Sequence, residues 1–125
     1  MDENKIARLV VDSAYSVHTE LGPGLLESVY ESALCHELNA RDIKCSRQHQ
    51  MRVVYKNVTI NDTFRADILV EGKVIIELKS IENVMPVHKK QLITYLKLSD
   101  CRLGLLINFG SCLIKDGITR IVNKL

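Results

Sequence analysis

The sequence predicts an α/β fold, a mixed β-sheet with helices on its faces. Three observations predict it. Apolar residues recur at helical spacing over residues 4–41, and the pattern then changes to alternation over residues 48–79. A helix opened by Pro86 follows, and after it comes the nearly continuous apolar run Arg102–Phe109. A meander followed by a helix and a returning strand requires antiparallel and parallel neighbours in one sheet, with helices to cover it.

The elements follow in order. Ile6, Leu9, Val10, Ala14, Val17 and Leu21 make one apolar stripe, so residues 4–21 form a helix. Gly22-Pro23-Gly24 forbids its continuation. The second helix runs from about Leu25 to Arg41, with Leu26, Val29, Tyr30, Ala33, Leu34 and Leu38 as its stripe. Gln48–Tyr55 alternates and reads as a strand, with Met51, Val53 and Tyr55 on one side. Asn57–Asp62 is polar enough for a turn or a ragged edge. Phe64–Val70 and Lys73–Lys79 are two further strands joined at Glu71-Gly72. Val87–Leu98 is the third helix. Arg102–Phe109 suits a strand buried on both faces. Short strands near Cys112–Ile114 and Ile118–Val122, joined at Asp116-Gly117, close the chain.

A chain of 125 residues forms one domain over residues 1–125, large enough for one core. Hydrophobic residues are 46% and charged residues 26%, values that exclude disorder over most of the chain. No apolar stretch approaches the roughly 18 residues a membrane helix needs. Met1-Asp2-Glu3-Asn4-Lys5 lacks the basic start and apolar stretch of a signal peptide, so a cytoplasmic location is expected. The net charge of +2 excludes coating DNA by charge alone but leaves room for a local basic groove. With no Trp, two Phe and four Tyr, base-stacking platforms are poorly supplied. Cys35, Cys45, Cys101 and Cys112 form no C-x-x-C pair and read as reduced, mostly buried thiols. Cys35, Cys45 and His49 are near enough in sequence to imagine a zinc site, but their spacing is not that of paired zinc ligands.

The chemistry lies in Phe64–Lys79. Glu77 and Lys79 are two apart on a strand that is otherwise apolar, so both point to one face. Charges placed there are costly without partners. Asp67 lies across the hairpin, and loop parity decides whether it meets Glu77. A two-residue loop sets Asp67 opposite Ile76; a three-residue loop or a bulge sets Asp67 opposite Glu77. The odd loop is expected, because a shared site needs both carboxylates together. Two facing carboxylates and an ammonium can hold a divalent ion and orient a water. Magnesium suits such a site, since it takes few carboxylates and keeps waters. A surface hairpin with a weak Glu–Lys pair is the plain alternative.

Asp67 followed by Glu77-Leu78-Lys79, with a helix after them, resembles the PD-(D/E)xK nuclease core. Gly24-Leu-Leu-Glu27-Ser-Val-Tyr30 resembles the signature of the GxxExxY protein family, a mostly prokaryotic branch of that superfamily. Val17–Gly24, Tyr30–Leu34, Gln91–Leu96 and Gly104–Gly110 agree with it, and the resemblance covers residues 5–122. Arg65-Ala66-Asp67 stands where the superfamily name has Pro-Asp.

The resemblance implies a restriction-endonuclease-like three-layer fold and a metal-dependent nuclease acting on DNA ahead of RNA. It implies Asp67 and Glu77 as ligands of Mg²⁺ or Mn²⁺, Lys79 as the catalytic lysine, Glu27 as an additional acid, and Gln91 as a helix-borne glutamine of the site. Among the supporting residues, Glu27 also suits a helix start. Gln91 and Tyr95 share a helix face. Tyr30 reads as a packing residue at the site edge, and His18 as a helix C-terminal residue or a site residue. Arg65 and Lys89 are candidates for phosphate contact, and His88 lies in the first turn of the third helix. Lack of aromatics and small size leave little surface for gripping DNA, which a homodimer would enlarge. The alternative function is a non-catalytic nucleic-acid- or protein-binding module that keeps the fold.

Overall fold

The computed structural model describes residues 1–125. Helix α1 is Glu3–Leu21, capped by the Asp2 carboxylate, which accepts from the Lys5 N–H. Helix α2 is Glu27–Ala40, and α3 is Pro86–Ser99. Five strands complete the chain: β1 Cys45–Tyr55, β2 Val58–Val70, β3 Val74–Lys79, β4 Leu103–Asn108 and β5 Ile118–Val122.

The strands form one sheet in the order β1-β2-β3-β4-β5. β1, β2 and β3 are an antiparallel meander, α3 carries the chain over to β4 parallel to β3, and β5 returns antiparallel. The mixed sheet follows from the placement of α3 between two apolar strands, because a parallel neighbour needs a crossover.

Alternation splits the core between two faces. Val74, Ile76 and Leu78 of β3 pack with Ile6, Val10 and Ala14 of α1 and Leu34 and Leu38 of α2. Ile75 of β3 and Leu106 of β4 face Leu92 and Leu96 of α3. All six residues of β4 are buried, as its unbroken apolar run requires. Gly104 lies under α3: a Cβ there would stand 2.9 Å from a Leu92 methyl.

Sequence expectations are refined or corrected at five places. Of the two readings of Asn57–Asp62 the ragged edge holds and the turn does not, since β2 begins at Val58 with its first residues mostly exposed. Lys56 and Asn57 alone make the turn, both left-handed at φ 48° and 66°, the conformation of a two-residue hairpin. β1 starts at Cys45, which pairs with Val70. Cys112–Ile114 is not a strand; a 3₁₀ turn over Ile114–Gly117 tucks Ile114 into the core. Cys35 and Cys45 are joined as a disulfide between α2 and β1, not held as two free thiols, while Cys101 and Cys112 are free. Leu26, 75% exposed, and Val29 also lie outside the α2 core stripe, because the helix starts only at Glu27 and its first turn borders a cleft.

Candidate functional site

The β2–β3 hairpin is closed by three residues, Glu71, Gly72 and Lys73, with Glu71 and Gly72 left-handed at φ 53° and 67°. Val70, Leu69 and Ile68 pair with Val74, Ile75 and Ile76. The next residues in register are Asp67 and Glu77, and there the ladder stops. β2 continues beside β1, and β3 continues beside β4 as far as Lys79 and Asn108. The two strands therefore fork at the carboxylates.

At a fork, backbone groups lose their strand partners and must find others. The side chains supply them. Oδ2 of Asp67 accepts from the Leu78 N–H at 2.8 Å, and Oε1 of Glu77 accepts from the Asp67 N–H at 3.4 Å. The carboxylates are locked together by the backbone of each other's strand.

Glu77 is 6% exposed. Its carboxyl is pushed up from 4.5 to about 9, first by burial, then by the Asp67 charge and a side-chain hydrogen bond with Asp67; the Asp67 N–H and the Lys79 charge oppose this. No cation lies within ion-pair distance of either group, since the chain's two salt bridges are Arg41–Glu37 and Arg47–Glu31. Lys79 is half-buried at the end of β3. Tyr95 of α3 feels the same site. Its hydroxyl is pushed up by burial, then by Glu77 and Asp67, and its ring stacks on Phe64 at 4.4 Å.

A cleft of about 110 Å³ opens beside the fork, lined by Glu27, Ser28 and Glu31 of α2, Gln48 of β1, Asp67 and Leu78. The turn before α2 aims Glu27 there. Gly24 sits at φ 99°, a conformation that L-residues rarely adopt. The fully buried Tyr30 clamps the turn: its hydroxyl donates to the Gly22 carbonyl and accepts from the Leu25 N–H at 3.1 Å, and its ring stacks on Phe109 at 4.5 Å. Gly24, Glu27 and Tyr30 thus have one physical task each: the turn, the cleft and the clamp.

The other residues singled out in the sequence lie elsewhere. His18 is buried at the end of α1, where Nε2 meets the Ser111 carbonyl at 2.9 Å. Gln91 and Lys89 are exposed on α3, and Gln91 has no hydrogen bond to either carboxylate. Arg65 is exposed opposite Gln50. His88 completes the α3 cap through Nδ1, which meets the Met85 N–H at 3.0 Å. No three His, Cys, Asp or Glu side chains form a cage for a metal ion. The imagined zinc site is thereby overturned: Cys35 and Cys45 bond each other, and His49 Nδ1 meets Ser46 Oγ at 2.8 Å.

Three residues were not singled out as site residues in the sequence. Glu31 is buried and accepts from Arg47 at 3.3 Å and from Gln48 Nε2 at 2.8 Å. Its sequence signal is its place four residues after Glu27, on the same helix face. Gln48 also reaches Asp67 Oδ1 at 3.5 Å, and no pattern in the sequence marks it. Asn108 is buried beside Lys79. Its side chain accepts from the Ile81 and Gly110 N–H groups at 3.1 and 3.0 Å and donates to the Ile81 carbonyl at 2.9 Å, fixing the loop that leaves β3. A polar residue ending an apolar strand is its signal.

The donor set fits a hard divalent ion that keeps part of its water. The buried Glu77 and the half-buried Asp67 share one place without a counter-charge, and a cation there would replace the proton that Glu77 otherwise holds. Among known proteins, the family model of the PD-(D/E)XK nuclease superfamily matches residues 4–121. No curated protein and no solved structure matches the chain.

Proposed function

The chain belongs to the PD-(D/E)XK nuclease superfamily, and from that premise we infer that it hydrolyses phosphodiester bonds in nucleic acid, DNA ahead of RNA. The observation that carries the reading is the fork: the half-buried Asp67 and the buried Glu77 meet where β2 and β3 part, without a cation. Gly24, Glu27 and Tyr30 support a place in the GxxExxY branch.

Asp67 and Glu77 would hold Mg²⁺ or Mn²⁺, with Glu27 across the cleft as a further acid. The ion, when bound, supplies Lewis acidity to a phosphoryl oxygen and a lower pKa to a coordinated water. The remaining work belongs to this chain. Lys79 follows Glu77 on the same strand and carries an ammonium free of any ion pair. It can stabilise charge developing on the phosphate or orient the attacking water. Asp67 keeps its orientation through the Leu78 N–H. Tyr95 borders the carboxylates from α3, and the exposed Arg65 and Lys89 are available to phosphates of the substrate backbone. Gln91 would need to turn inward with substrate bound to take part. No helix is long and apolar enough to cross a membrane.

The test is cleavage of labelled DNA and RNA in Mg²⁺ by the wild type, Asp67→Ala and Glu77→Ala. Cleavage by the wild type, lost in both variants while their circular dichroism is unchanged, is expected. Full activity in both variants would sink the assignment. Binding of nucleic acid without cleavage by the wild type would favour the non-catalytic module instead.

A further inference from the structure

Seven residues other than glycine have a left-handed backbone, and six of them lie in turns, at a helix cap or at the chain end. Gln48 is the seventh, at φ 46° in the interior of β1. A residue with a Cβ adopts this conformation inside a strand only when its surroundings impose it. The register runs unbroken through the kink. Its neighbours Arg47 and His49 pair with Ile68 and Ala66, so Gln48 stands opposite Asp67. From there its side chain enters the cleft between α2 and β2.

We propose that Gln48 is a positioning residue that sets the orientation of the Asp67 carboxylate, and that Glu31 acts through it. This rests on the reading of Asp67 as a metal ligand. Nε2 of Gln48 lies 2.8 Å from Glu31 Oε1 and 3.5 Å from Asp67 Oδ1. Both neighbours are carboxylates, and an ionised carboxylate only accepts. The amide must therefore present its NH₂ to them, which leaves one orientation of the side chain. Glu31 is fixed in turn by Arg47 at 3.3 Å. The Asp67 carboxylate is then held at both oxygens, Oδ1 by Gln48 and Oδ2 by the Leu78 N–H at 2.8 Å.

The short bond to Glu31 anchors the amide, and the longer, weaker one to Asp67 takes up one lone pair of Oδ1 and leaves the other. An oxygen so placed remains free to ligate. Groups that orient a ligand from behind typically change metal affinity by roughly 10–100-fold when removed. The chain Arg47–Glu31–Gln48–Asp67 also ties α2, which carries Glu27, to the strand that carries Asp67. The two sides of the cleft are thereby kept in register.

The experiment is calorimetric titration of Mn²⁺ into the wild type, Gln48→Met, Gln48→Gly and Asp67→Asn, with thermal melts of each. Methionine keeps the length and removes the donor. Glycine removes the side chain and relieves the left-handed backbone, so it guards against a folding failure of the first variant. The expected result is a dissociation constant raised roughly 10–100-fold in both Gln48 variants, alike in the two although their melting temperatures differ, with no binding in Asp67→Asn. A structural role alone would lower melting without a separate loss of affinity. Wild-type affinity in both Gln48 variants, with binding lost in Asp67→Asn, would overturn this inference and leave the metal reading intact. A wild type that binds no Mn²⁺ would overturn the metal reading, and this inference with it.

Discussion

Replacing Glu77 by glutamine is expected to stabilise the metal-free protein and to abolish its metal binding. In the unfolded chain Glu77 titrates at its ordinary value of 4.5, while in the folded chain burial and Asp67 push it up to about 9. At pH 7 folding therefore includes the uptake of a proton. The 2.5 pH units between 7 and 4.5 correspond to about 3 kcal/mol withheld from stability. Because the folded value is raised, stability is full below pH 4.5, falls as the pH rises, and stops falling above about 9. Glutamine escapes this loss. It keeps an oxygen for the Asp67 N–H, which Glu77 meets at 3.4 Å, and carries no charge. A gain of roughly 1–3 kcal/mol at pH 7 is expected, or roughly 5–10 °C in melting temperature for a chain of this size. The gain should vanish at pH 4 and grow at pH 8.5. Mg²⁺ should raise the melting temperature of the wild type and leave Glu77→Gln unmoved. Circular dichroism melts at the three pH values, with and without Mg²⁺, read all of this. A variant that melts at or below the wild type at pH 7, with no pH dependence in the difference, would refute the reasoning.

Three further outcomes follow from the geometry. Lys79→Met should keep Mn²⁺ binding in calorimetry and lose roughly 10²–10³-fold in the single-turnover cleavage rate, because the role proposed for the lysine is on the phosphate and water and not on the ion. Gly24→Ala should cost roughly 1–2 kcal/mol in urea denaturation, since φ 99° is strained for any residue with a Cβ although the space around it is empty. Asn108→Ala leaves the Ile81 N–H and carbonyl without their partner. It should lower stability by roughly 2–4 kcal/mol and speed hydrogen exchange in residues 80–85.

Much of the fold was legible because periodicity survives in short chains. The α1 stripe and the apolar runs of β3 and β4, buried on both faces, each match one burial requirement. Parity left two loops open for Asp67 and Glu77; the odd one followed only from requiring a shared site, and the three-residue loop puts residues 67 and 77 in register. Asn57–Asp62 was not legible as strand. The tip of the β1–β2 ribbon is exposed on both faces, with Tyr55 61% and Val58 60% exposed, so no alternation is required there. The disulfide joins cysteines whose spacing is mute about pairing. Glu31 and Gln48 were hidden for a different reason. Their meaning depends on contacts 16–19 residues apart and on a backbone kink that no local residue announces. Gln91 and His18 carried weight through resemblance and position, and the first stands exposed on α3 while the second holds the Ser111 loop.

The most direct test of the central claim is calorimetric titration of Mg²⁺ into the wild type and Glu77→Ala at pH 7. The account predicts one saturable binding event in the wild type, accompanied by release of the proton that Glu77 otherwise holds, and no binding in the variant. Equal binding in both proteins, or none in the wild type even with a nucleic acid present, would contradict it.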